Sequence, residues 1–216
     1  LLRFAIKGIL NYQGESNAQE KERVEEYAAL SALMISSYRS KWEKDLPYYF
    51  AQLSSIDTVQ YKGQLWPQFR NEQRKMLALI PNSGMAVSSD HGAANDVHPT
   101  NKKIVGERLA RWALHQTYHQ AIVPSGPLPL QATYKNGFVI ISFQYADGLK
   151  TNNPVQLTGF SVKGKEMSEA IIKNKQVLVK SKQKPDYIYY GWQPFSKGNL
   201  VNGEQLPAST FKLLVE

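Results

Sequence analysis

An apolar run, Phe4 to Leu10, ends in the polar stretch Asn11-Tyr12-Gln13-Gly14-Glu15-Ser16-Asn17, and a long helical period follows directly. The run reads as a buried strand over residues 4–12. The helical period spans residues 17–45, where Val24, Tyr27, Ala28, Ser31, Met34, Ile35, Tyr38 and Trp42 recur at three- and four-residue spacing. Glu20, Glu22, Glu25 and Glu26 fall in its first turns, where the helix dipole favours acids. Pro47 stops the helix, and Tyr48 to Leu53 reads as the next strand. Residues 54–66 form a loop. A second helix, Pro67 to Leu79, a short strand, Gly84 to Ser88, and a third helix over residues 101–119 follow. Strands alternating with helices predict a parallel sheet in an α/β domain. In such sheets chemistry sits at the carboxyl ends of the strands. Two strand ends therefore matter: residues 11–17, and Ser88-Ser89-Asp90-His91-Gly92-Ala93-Ala94-Asn95-Asp96-Val97-His98-Pro99.

The pattern changes at Pro124-Ser125-Gly126-Pro127-Leu128-Pro129, which reads as a stiff linker. Beyond it lie short apolar or alternating segments: residues 130–134, 138–145, 156–162, 169–172, 176–179 and 187–191. Asn136-Gly137 between the first two is a strong hairpin signal. No long helical period appears, so an antiparallel β-sandwich is expected. The division falls into an α/β part, 1–122, and a β part, 123–216. A strand starting at residue 4 needs a neighbour; an exposed edge invites another chain, a partner fragment or a homodimer.

An apolar fraction of 42% suffices for a packed core, and the absence of cysteine excludes disulfides and thiolate metal sites. The net charge is +8, and all 11 basic residues after position 122 are lysines. Nucleic-acid surfaces use arginine for bidentate contacts. These lysines are spread along strands, so a solvated basic surface is the better reading. No apolar run is long enough to span a membrane.

Among the candidate chemical groups, His98 is the best proton-transfer residue: a neutral imidazole accepts a proton near pH 7, and a carboxylate, Asp96, stands two residues away. Glu15 lies at the other strand end, after Gln13, whose amide could donate to an oxyanion, and Gly14, which permits close backbone approach. The plainer reading of Gln-Gly-Glu-Ser-Asn is a turn with a helix cap at Ser16 or Asn17 and a capping-box partner at Gln19 or Glu20. His91 and His98 have no zinc spacing. His115 and His119 lack the intervening glutamate of a metalloprotease helix and read as structural.

Read together, these blocks resemble the sialate O-acetylesterase family of SGNH-type hydrolases. Tyr12 to Asn17 is similar to its Tyr-Gln-Gly-Glu-Ser-Asn block, and Trp42 with Asp45 to Leu53 to its "DLP-F-QL" segment. Trp66-Pro67, Arg70 and Gln73 fit the following helix. Gly84 to Val87, Asp90, Asp96 to Pro99 and Asn101-Lys102 fit the histidine block. Leu157 to Phe160, Tyr190-Gly191-Trp192, Gly198 to Leu200 and Leu206 to Phe211 resemble its C-terminal β-domain.

The resemblance implies a partial SGNH three-layer domain followed by a β-sandwich, and a serine esterase that removes acetyl groups from sugars, without metal or cofactor. It implies His98 as general base, Gln13 and Gly14 at the oxyanion, and Asp96 or Glu15 as the orienting carboxylate. Relatives often carry an Asp three residues before the histidine; Asn95 stands there in this sequence. Asn11 stands where many relatives have Trp. Trp66, Asn17, Tyr12 and Tyr61 are candidates for the sugar site. The family's serine block is absent. Ser16, Ser88 and Ser89 have no nucleophile-elbow context, so the serine is expected upstream or on a partner chain and this chain alone is expected to be inactive. The family implies a periplasmic or extracellular location. An acetylxylan esterase and a non-catalytic glycan-binding protein are the rival readings.

Overall fold

The computed structural model describes residues 4–56, 63–153 and 155–216. Three parallel strands, β1 (Ile9–Asn11), β2 (Tyr48–Gln52) and β3 (Ser83–Val87), lie side by side in chain order. The register pairs Ile9 with Tyr48, and Tyr48 in turn with Ser83. The central strand β2 is buried at every position. Two crossover helices, α1 (Lys21–Trp42) and α2 (Trp66–Leu79), pack on each other, and α3 (Lys102–Trp112) packs against β2 and β3.

The first strand departs from its sequence signal. Pairing covers only Ile9–Asn11, Leu10 is 64% exposed, and Phe4 lies out in solvent. An apolar run reads as a strand buried by neighbours, whereas β1 has a ladder partner on one side only among the described residues. The first helix is also shorter than its period suggests. Asn17–Gln19 form a turn of 3-10 helix, Glu20 is extended at the true start of α1, and neither Ser16 nor Glu20 makes a side-chain cap bond. The expected capping box is therefore replaced by an ion pair between Glu20 and Arg23 at 2.9 Å. The helix stops where Glu43 turns left-handed (φ 50°) and returns its N–H to the Ser40 and Arg39 carbonyls. Val24, Tyr27, Ala28, Ser31 and Ile35 are buried as the period predicts, while Met34 and Tyr38 face outward.

The third helix ends at Trp112 and widens into a π turn over Ala113–Thr117. Its Asn101 cap accepts the Ile104 N–H. The chain then crosses through 124–129. This is no solvated linker: the segment is buried, Asn202 donates to the Ser125 carbonyl at 2.9 Å, and a Cβ on Gly126 would lie 2.1 Å from the Pro207 oxygen.

The second part holds antiparallel sheets. Four strands, β4 (Leu128–Lys135), β5 (Phe138–Gln144), β8 (Ala170–Lys173) and β9 (Gln176–Lys180), run in the order β4-β5-β9-β8. The strands β7 (Phe160–Ser161), β10 (Tyr187–Tyr190) and β12 (Phe211–Leu214) form the order β12-β10-β7. A short pair joins β6 (Lys150–Thr151) to β11 (Leu200–Val201). Val139, Ile141, Val177 and Val179 of the first sheet share one core with Ile188, Tyr190, Phe160 and Phe211 of the second. Buried hydrogen bonds join the two parts of the chain. Gln52 at the end of β2 pairs both ends of its amide with the Thr210 backbone, and Asn71 accepts the Lys212 N–H. The Arg70 guanidinium, fully buried, donates to the carbonyls of Gly191 and Gln193 and to Ser55 Oγ. Burial without a carboxylate partner pulls its pKa down to about 9.

Candidate active site

Polar groups gather where the three parallel strands end. After β1 the chain must bend under α2, and Gly14 makes this bend. Its φ of +139° lies where L side chains rarely go, and a Cβ there would meet the Phe69 ring at 2.4 Å. Phe69 in turn packs against Tyr27 of α1, ring centroids 4.5 Å apart and planes inclined by 57°. The bend therefore puts Gln13 within reach of the Tyr27 hydroxyl.

That contact fixes the Gln13 side chain. Tyr27 Oη donates to Oε1 at 2.8 Å, and Gln13 Nε2 donates to Asn17 Oδ1 at 2.6 Å. Burial raises the Tyr27 pKa, so the phenol stays protonated and remains a donor. An amide nitrogen carries two hydrogens. One is committed to Asn17, so the other is the group that Gln13 can offer a ligand. Asn17, through its oxygen, orients Gln13. Glu15 is half-exposed and makes no hydrogen bond or ion pair among the described residues; its charge, after burial, helps raise the pKa of Tyr12. Tyr12 also has the Lys102 ammonium 4.9 Å from its ring centre, which ties the end of β1 to the start of α3.

After β3 the backbone is anchored first and then released. Ser88 Oγ donates to the Gln52 carbonyl at 2.7 Å, and the Ser89 carbonyl accepts from Ser55 Oγ at 2.5 Å. Asp90 takes both arms of Arg108, at 2.6 and 2.7 Å, while Arg108 Nη1 also donates to the Val87 carbonyl. His91 Nε2 lies 3.3 Å from Asp90 Oδ2. Further on, a tight turn bridges Ala93 to Asp96, and in the bend that follows Val97 and Pro99 are buried while Asp96 and His98 are exposed. The His98 N–H donates to Asp96 Oδ1 at 2.7 Å, and the His98 Nδ1 stands 3.7 Å from that oxygen. Asp96 is the one carboxylate within 4 Å of the His98 ring among the described residues. The His98 side chain is 76% exposed and that of Asp96 55%.

The other expected site residues are placed as follows. Trp66 does not line a sugar site: it is fully buried in the core and donates Nε1–H to the Ser54 carbonyl at 2.7 Å. Its flat ring fitted a sugar in the sequence, but at the start of α2 it packs into the core of the α/β part. Tyr61 lies outside the described residues. Ser88 and Ser89 are buried, and no serine hydroxyl among the described residues hydrogen-bonds to an imidazole. Tyr27, Phe69 and Arg108 complete the local geometry and were not visible as site residues; their spacing marks only helical faces.

A parallel sheet with crossover helices and polar loops at the strand carboxyl ends is the frame of an α/β enzyme. Residues 2–115 match the family described as "Carbohydrate esterase, sialic acid-specific acetylesterase". The sialate O-acetylesterase of Rattus norvegicus is 28% identical over 147 residues, covering 60% of this chain and 27% of that protein. The Mus musculus enzyme is 26% identical over 163 residues, covering 66% and 30%. The crystal structure of a novel carbohydrate acetylesterase from Xanthomonas citri superposes with a TM-score of 0.87 at 33% identity, covering 98% of this chain and 51% of that one. The chain belongs to the carbohydrate esterase family of sialic acid-specific acetylesterases. It spans under a third of the length of the curated relatives and about half of the solved structure.

Proposed function

We propose that this chain carries the proton-transfer half of a carbohydrate O-acetylesterase site, acting on O-acetyl groups of sialic acid or a related sugar. The observation that carries the reading is the Asp96–His98 pair, held outward at a parallel strand end by buried neighbours on either side. Its frame closely follows that of a carbohydrate acetylesterase. Residues 1–122 form the C-terminal half of an SGNH-type domain; the other half, with the serine nucleophile, lies on an upstream segment or on a partner chain. The shares of the relatives' length covered support this division.

In the reaction the serine hydroxyl attacks the acetyl carbonyl carbon while His98 takes its proton. Asp96 orients the imidazole and stabilises the imidazolium. The free N–H of Gln13, with the backbone at Gly14, donates to the oxyanion that forms on the carbonyl oxygen. His98 then returns the proton to the departing sugar oxygen. Water, activated by the same imidazole, cleaves the acetyl-serine ester and releases acetate. Asn17 steadies Gln13 and borders the sugar. Glu15 is the alternative carboxylate, and its lack of any contact with His98 favours Asp96. The sheets beyond residue 123 form the β-sandwich domain of this esterase. A periplasmic or extracellular location follows from the acetylated glycan substrate.

An exposed imidazole–carboxylate pair at 3.7 Å is an incomplete triad; triad geometry needs hydrogen-bond distance and exclusion of water. The remaining chain supplies both. The test is hydrolysis of p-nitrophenyl acetate and of O-acetylated sialic acid by this 216-residue chain and by the longer protein. Turnover by the longer protein alone is expected. Turnover by the chain alone that His98→Ala abolishes would put the nucleophile within these residues.

A further inference from the structure

A cleft lined by none of the candidate active-site residues opens between residues 64–68, 163–165 and 189–194, and the chemistry described so far does not use it. Its volume is about 410 Å3, within the ordinary range for small-ligand sites. Trp192 and Tyr189 form one wall, their rings 5.1 Å apart and inclined by 60°. Gln64 from the 3-10 turn before α2, Gln68 from the first turn of α2, and Gln193 also line it with amide side chains. Lys163 and Lys165 stand on the rim.

Each part of this wall is held from behind. Gly164 adopts φ +82°, and a Cβ there would lie 3.5 Å from the Trp192 ring, so the lysine turn folds closely along the indole edge. The Trp192–Ser196 loop is tied to the loop after β2: Ile56 N–H donates to the Pro194 carbonyl at 3.0 Å, and Ser196 N–H to Ser55 Oγ at 2.9 Å. Gln193 is fixed through its carbonyl by the buried Arg70. The segment 54–56 thus separates the cleft from the Tyr12 side of the strand ends. The aromatic pair stays half-exposed, and the Trp192 indole N–H has no hydrogen-bond partner among the described residues.

Half-exposed rings with nearby amides suit a sugar: the flat ring takes the apolar face of a pyranose, and the amides take its hydroxyls. The rim adds a sign to this preference. Lys163 has a weak exposed partner in Glu166 at 3.7 Å, and Lys165 has no ion-pair partner among the described residues. Such a rim favours a ligand that carries a carboxylate. We propose that this cleft is an accessory subsite for an acidic sugar residue of the glycan, distinct from the esterase site. The sugar class rests on the functional reading above; the cleft itself does not.

The test is binding, read separately from hydrolysis. The longer protein is titrated with sialyllactose, which has no O-acetyl group, and with lactose, following tryptophan fluorescence and calorimetric heat. Sialyllactose is expected to bind more tightly than lactose. Trp192→Ala is expected to weaken it about tenfold or more, as truncating a central aromatic anchor does. Trp192→Phe keeps a ring and is expected to stay within about threefold of wild type, in line with the modest worth of one aromatic contact. The Lys163→Gln/Lys165→Gln double variant is expected to remove the preference over lactose. His98→Ala is expected to leave binding unchanged, so an inactive esterase does not decide the outcome. If Trp192→Ala fails to fold, the lysine variant carries the test. No binding of sialyllactose, equal binding of lactose by wild type, or an unchanged preference in the lysine variant would overturn the proposal.

Discussion

Gly14→Ala tests whether the bend after β1 is built as described. The added Cβ would stand 2.4 Å from two carbons of the Phe69 ring, closer than such atoms approach, and both belong to a fully buried side chain. Displacing that ring is overpacking, at about 1–3 kcal/mol. The φ of +139° adds backbone strain of about 1–3 kcal/mol for any residue with a Cβ. Together these predict a loss of about 2–6 kcal/mol, a large share of the about 5–15 kcal/mol that holds a typical domain together. The assay is the urea midpoint by circular dichroism at constant slope. Phe69→Leu separates the two contributions, because it relieves the clash and leaves the strain. The double variant should therefore be about 1–2 kcal/mol more stable than the sum of the single losses predicts. A Gly14→Ala loss below about 0.5 kcal/mol, typical of a neutral surface change, would refute the reasoning, as would strict additivity.

Asp90→Asn leaves the buried Arg108 without its charge partner and should cost about 1.5–3 kcal/mol in chemical denaturation, the worth of hydrogen bonds to a charged group in a partly buried pair. Tyr27→Phe removes the donor that holds Gln13 Oε1, so kcat on an acetyl ester should fall about tenfold with KM little changed, the pattern of a group that acts in the transition state. Tyr190 is fully buried and its pKa is raised, chiefly by burial. Below pH 10 both folded and unfolded phenols are protonated; above it the unfolded chain ionises first, so stability falls as pH rises. Tyr190→Phe should flatten that alkaline decline by up to about 1.4 kcal/mol per pH unit. At neutral pH it should cost about 1–3 kcal/mol, because Leu200 N–H loses its acceptor.

The sequence reveals most where one layer decides the outcome. Buried β2, the helix at 66–79 and the hairpin at Asn136-Gly137 all stand as their periods and turn chemistry predict. It misleads where burial depends on a distant partner. Trp66 is buried in the α/β core, and the segment 124–129, which reads as a linker, is buried by contacts from residues 202–209. Residues 4–8 look like strand, but an apolar run cannot show how many neighbours it has. Short strands such as β6 and β11 carry two residues each, too few for any period. Of the candidate site, His98, Asp96 and Gln13 were legible because titratable or amide groups at strand ends are unusual. The supports of Gln13 and Asp90, namely Tyr27, Phe69 and Arg108, were not, since in sequence they are ordinary helix residues.

The most direct measurement is the acetyl-ester turnover of the longer protein with His98→Ala, alongside its thermal midpoint. Within this chain the His98 side chain is largely exposed, so its truncation should cost the fold little. As general base it should carry at least about 10²–10⁴-fold of the rate, the usual worth of positioned proton transfer. A fall of that size at an unchanged midpoint is the predicted result. Turnover within about tenfold of wild type would contradict the assignment of His98, since general-base catalysis contributes about 10²–10⁴-fold.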